Sequence, residues 1–146
     1  MVTGLRWKRC VEGMVWDKET CACVGEPREF SWEELPISSE WRVPTLEEAK
    51  TLLYCSNTKE WGKTCKASSN NYFQNPTIDQ ETFPNTPDWM WTVTEYEFNP
   101  EYVWFIGFYG GGAYYGPRED SVPVRLVVFS EAISRHRLLP EYLDRQ

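Results

Sequence analysis

The apolar positions of this chain gather in short runs rich in aromatic and β-branched residues: Trp89 to Thr94, Tyr102 to Phe108 and Val122 to Phe129, with a shorter Ala113-Tyr114-Tyr115. Runs of that length, bounded by turn residues, predict strands. Gly110-Gly111-Gly112 supplies the positive φ angles of a hairpin turn, so the strands pair antiparallel. Earlier, Gly4 to Arg9 reads as a strand, and Met14-Val15-Trp16 with Thr20 to Val24 as a second one after a Glu12-Gly13 turn.

Helical spacing occurs clearly once. Leu46, Ala49, Leu52 and Leu53 fall on one face and predict an amphipathic helix of about nine residues ending near Tyr54. Thr45 and Glu48 form its capping box, and Pro44 keeps Val43 extended before it. A shorter helix starts after Ser31 as N-cap at Trp32-Glu33-Glu34-Leu35 and is stopped by Pro36. Residues 56–88 are rich in Asn, Thr, Ser and Pro and read as a long ordered loop, while 130–146 suits a terminal helix or tail, with His136 as a packing residue. The fold class is therefore α+β: a single domain over 1–129, with 130–146 packed on it.

Composition sharpens this. With 146 residues, 8 Trp, 8 Tyr and 7 Phe, the chain has enough apolar mass for one compact core. Its charge is uneven. Between residues 79 and 120 stand Asp79, Glu81, Asp88, Glu95, Glu97, Glu101, Glu119 and Asp120 against one base, Arg118, so this segment carries the whole net charge of −7. The remainder balances. An acidic face of this kind excludes nucleic acid and anionic membranes as partners and fits a basic partner or a cation. No run of about 18 apolar residues is present to span a bilayer.

Five cysteines add a compartment. Cys55 and Cys65 bracket a hydrophilic loop suited to a disulfide, and Cys10 pairs with Cys21 or Cys23, Cys21 being the nominal choice. Zinc is disfavoured because Cys21-Ala22-Cys23 has the wrong spacing and His136 is the only histidine. Disulfides place the domain outside the cytoplasm, in the periplasm or at the cell surface; Met1 to Trp7 has no signal-peptide pattern, which fits a mature form.

No nucleophile with its base, and no acid/base pair, stands out, so the domain reads as non-enzymatic. Glu95, Glu97, Asn99 and Glu101 present oxygens at nearly every second position and form a candidate calcium site. Glu95, Glu97, Glu101, Glu119 and Asp120, with Tyr109, Tyr114 and Tyr115 around the glycine turn, are the candidate partner-binding residues.

Several separated motifs resemble a known family. Trp41-Arg42-Val43-Pro44-Thr45-Leu46-Glu47-Glu48, Leu53-Tyr54-Cys55-Ser56-Asn57, Pro76-Thr77-Ile78-Asp79, Trp91-Thr92-Val93-Thr94-Glu95-Tyr96 and Pro123-Val124-Arg125-Leu126-Val127 look like the DUF1566 domain family, also called the Lcl C-terminal domain. The resemblance implies a C-type-lectin-like fold with a twisted antiparallel sheet, one or two short helices and long loops, on secreted or surface proteins of bacteria. It also implies, for some members, adhesion to sulfated glycosaminoglycans, which the acidic half of this chain opposes. The expected function is recognition of a basic protein partner, as by an inhibitor or immunity protein against a secreted toxin or cell-wall hydrolase, with a glycan-binding adhesin module as the alternative.

Overall fold

The structure, a computed structural model, describes residues 4–36, 40–67 and 72–129. In chain order the strands are β1 (Leu5–Trp7), β2 (Met14–Asp17), β3 (Ala22–Gly25), β4 (Glu29–Phe30), β5 (Tyr54–Cys55), β6 (Glu60–Trp61), β7 (Trp89–Glu95), β8 (Tyr102–Gly107), β9 (Gly112–Pro117), β10 (Val122–Pro123) and β11 (Val127–Phe129). A 3-10 turn (Trp32–Glu34) and the helix α1 (Leu46–Lys50) lie between β4 and β5. Strands β7, β8 and β9 form an antiparallel meander; β1 pairs with β11, β4 with β10, β2 with β3 and β5 with β6. This is an α+β fold of small antiparallel sheets.

Alternation along the meander gives it two apolar faces. Met90 and Ile106 face a cluster with Ala49, Leu52, Leu53, Ile78, Phe83, Phe108, Trp7 and Val127. Trp91 and Val103 face the other way, toward Phe30, Val43, Val122, Val124 and Leu126. The first and last described strands thus meet, β1 pairing with β11, and beside the β2–β3 hairpin lies a satellite core of Cys10, Val11, Met14 and Cys23.

Several expectations are corrected. The helix is five residues long because Thr51, Leu52 and Leu53 bond back three residues, to the carbonyls of Glu48, Ala49 and Lys50, and the Thr51 hydroxyl donates to Glu48 O at 2.6 Å. That tighter winding ends it, yet Leu52 and Leu53 remain fully buried. Val122 to Phe129 is two strands, since Val122 and Pro123 pair with β4 whereas Val127–Phe129 pairs with β1. Between them Arg125 is turned fully inward, its guanidinium donating to the carbonyls of Lys8 and Arg9 and to Thr86 Oγ1. Of the three turn glycines only Gly111 has a positive φ, 69°.

Both disulfides form, the second with the expected partner and the first with the alternative one. Cys55 joins Cys65, while Cys10 joins Cys23 rather than Cys21. Cys23 sits in β3 facing the satellite core, whereas Cys21 lies in the preceding turn at φ 53° with its free thiol on the surface. The expectations for residues 130–146, including His136, lie outside the described residues. Among those described, no helix is long and apolar enough to cross a membrane.

Candidate functional site

The capping box read from sequence anchors the site. Glu48 N–H donates to Thr45 Oγ1 at 3.2 Å, and Thr45 N–H to Glu48 Oε1 at 2.9 Å. Arg42 adds a fork onto both carboxylate oxygens, each at 2.7 Å, and its hydrogen bonds hold the Glu48 carboxyl below its ordinary pKa. The helix start is then tied to β7: Leu46 N–H donates to Thr94 Oγ1 at 2.9 Å and Val93 N–H to Pro44 O at 2.8 Å.

Those ties sit at an irregularity in β7. Trp91 lies opposite Phe105 and Glu95 opposite Val103, so four steps along β7 match two along β8. The Thr92 hydroxyl replaces the interrupted ladder, donating to Trp104 O at 2.8 Å and accepting from Thr94 N–H at 3.1 Å. Such a bulge bends and twists its strand. Beyond it the chain closes in a tight loop, with Tyr96 N–H on Tyr102 O and Tyr102 N–H on Asn99 O, both at 3.0 Å.

This loop and the end of β9 bring five rings together. Tyr96 stacks on Tyr115, with centroids 3.9 Å apart and planes within 14°. Trp104 meets both edge-on at 5.4 and 5.6 Å, Tyr102 lies 5.8 Å from Tyr115, and Phe98 packs its edge on Tyr96. A hydrogen bond with Tyr115 raises the Tyr96 phenol above its ordinary pKa. The cluster opens to solvent at Phe98, 81% exposed, and Tyr115, 47% exposed, while Tyr96, Tyr102 and Trp104 are half-buried.

Arg118, the one base of the acidic segment, fixes the loop from outside. Its guanidinium donates to Glu33 at 3.1 Å, to Glu95 at 2.9 Å and to the Pro100 carbonyl, and lies 4.6 Å from the Trp32 ring centre. Three segments are thereby joined, and the Glu95 charge is matched. Glu97, Glu101, Glu119 and Asp120 stay exposed, with no ion-pair partner among the described residues.

The three tyrosines expected to act together are divided. Tyr115 opposes Trp104 in the ring cluster, but its neighbour Tyr114 opposes Phe105 on the other face of the sheet. There Tyr114 and Trp89 meet edge-to-face at 5.6 Å over Gly107, where a Cβ would stand 2.6 Å from Trp89 and 2.7 Å from Tyr114. Tyr109 is exposed at the turn. Tyr96, Phe98, Tyr102 and Trp104 belong to the face without having been singled out by the sequence pattern; pairing of β8 with β9 across the glycine turn was a signal for Tyr102 and Trp104, whereas Tyr96 and Phe98 lie outside those strands.

Two of the four candidate calcium ligands have other occupations. Glu95 is held by Arg118, and Asn99 Oδ1 accepts Glu101 N–H at 3.0 Å. Among the described residues, no group of three or more His, Cys, Asp or Glu is arranged to hold a metal ion.

Fold and face define a small α+β domain, stapled by two disulfides, that presents exposed rings beside unpaired carboxylates. The family model of the Lcl C-terminal domain matches residues 1–128, and the chain belongs to that family. No curated relative and no solved structure matches it.

Proposed function

We propose that the domain is a non-enzymatic recognition module, working outside the cytoplasm, that binds a basic protein partner through the face built by Tyr96, Phe98, Tyr102, Trp104 and Tyr115 with Glu97 and Glu101. The observation that carries this reading is a five-ring cluster, exposed at Phe98 and Tyr115 and half-buried at Tyr96, Tyr102 and Trp104, in the segment that holds all of the chain's excess negative charge. Rings supply contact area at little entropic cost and carboxylates select a positive surface. The Cys10–Cys23 and Cys55–Cys65 disulfides support an oxidising compartment. An inhibitor or immunity protein against a secreted toxin or cell-wall hydrolase has these properties. A C-type-lectin-like arrangement, with short helix and long loops around the meander, belongs to the same proposal.

A glycan-binding adhesin module is the second reading. It is favoured by the separate Trp89–Tyr114 pair, whose exposed rings offer a stacking surface on the opposite face.

The intact domain, used to capture proteins from the secreted and periplasmic fractions of its source, decides between them. A captured protein should be lost when Glu97 and Glu101 are both replaced by Lys in a variant with an unchanged circular dichroism spectrum. Capture that ignores the double reversal, or glycan-array binding with no captured protein, overturns the first reading.

A further inference from the structure

The arginine already inside the domain shows how this surface holds a guanidinium. Arg118 lies over Trp32 while its nitrogens reach Glu33 and Glu95, so one ring face and two carboxylates share a planar cation. Similar ingredients recur around Tyr96, the residue after Glu95. Tyr115 rests one ring face on Tyr96 and leaves about half its surface open, and Trp104 braces both rings edge-on. Glu97 and Glu101 adjoin Tyr96 and Tyr102 in the chain, exposed and without an ion-pair partner among the described residues.

We propose that the Tyr96–Tyr115 stack, with Glu97 and Glu101, is the seat of an arginine side chain from a basic protein partner. The proposal rests on the recognition reading above and names the contact it would use. Arginine fits better than lysine, because a guanidinium is planar, sheds water more readily and forks onto carboxylates, whereas an ammonium is a strongly hydrated point charge. Complementary charge supports this occupant, since the segment from 79 to 120 has a single base and Arg118 is already engaged. Anionic lipid and nucleic acid would meet repulsion at the same carboxylates.

Titration of the whole domain with an arginine homopeptide and a lysine homopeptide of equal length tests the seat, read by calorimetry and by the ring proton signals of Tyr96, Tyr102 and Tyr115. The arginine peptide should bind about fivefold tighter, with its shifts centred on those rings. Tyr115→Leu should remove that preference, while Tyr115→Phe, which keeps the ring, retains it and controls for folding. Equal affinities for the two peptides, or a Tyr115→Leu variant that keeps the preference, overturn the seat. If the preference is missing but partner capture still depends on Glu97 and Glu101, the seat fails and the recognition reading stands; capture indifferent to those carboxylates brings down the recognition reading itself.

Discussion

The carbonyl of Gly111 accepts the N–H of Cys65 at 2.8 Å, so the turn between β8 and β9 rests on the Cys55–Cys65 disulfide. A Cβ on Gly111 would stand 2.8 Å from Cys65 Sγ and 3.0 Å from Thr77 Cγ2, on a residue whose φ is 69°. Backbone strain and overlap act together here. Gly111→Ala is therefore expected to destabilise the domain by roughly 2–4 kcal/mol in denaturant unfolding. Gly110→Ala is the contrast, because its Cβ would crowd only the hydroxyl end of the Tyr114 side chain, at 2.7 Å, and its φ is not positive. It should cost less and register instead as a change in the Tyr114 ring signals.

Reduction reaches the same turn. Replacing Cys55 and Cys65 by Ser is expected to cost about 3 kcal/mol by freeing the ten-residue separation between them. Peptide mapping of the native protein should recover Cys10–Cys23 and Cys55–Cys65, with Cys21 alone alkylated without denaturant. Recovery of Cys10–Cys21 would contradict the β3 packing.

Arg42 and Glu48 make stability depend on acid. The Glu48 carboxyl is held below its ordinary value of 4.5, first by the Arg42 hydrogen bonds and then by Thr45, so its folded pKa is depressed. A depressed carboxyl stabilises the fold above its unfolded pKa, and the contribution is lost as pH falls through the folded value. Glu48→Gln should thus lower stability by about 1–2 kcal/mol at neutral pH, and the gap to the parent should narrow as pH falls below the ordinary carboxyl value of 4.5. Parallel melting curves across that range check it.

Arg125 is expected to be the costliest polar substitution. Fully buried, it serves the carbonyls of Lys8 and Arg9, Thr86 Oγ1 and the Phe83 ring, joining the N-terminal segment to the long loop. Arg125→Lys keeps the charge but cannot span those acceptors, and should destabilise by about 3–5 kcal/mol. A variant within 1 kcal/mol of the parent, roughly the net worth of one ordinary hydrogen bond, would show that the network contributes little.

Much of this architecture is local and therefore legible. Thr45 and Glu48 sit three apart, so their capping box needs nothing beyond one turn of helix, and it is found as read. The same holds for the Cys55–Cys65 staple and for the hairpin that the glycines permit. The helix length was less legible, since Leu52 and Leu53 keep the expected apolar face while the backbone tightens beneath them.

The amino-acid sequence by itself determined the antiparallel elements, the helix start, the family motifs and the concentration of negative charge, because each depends on residues near one another in the chain. Tertiary structure alone decided which cysteine Cys10 meets, that Arg118 takes up Glu95, and which of Tyr114 and Tyr115 joins the ring cluster. Those outcomes depend on strand register and on a bulge in β7, and register is set by packing between segments far apart in sequence. A one-residue change of register would exchange the two tyrosines, and with them the surface on which a partner could be held.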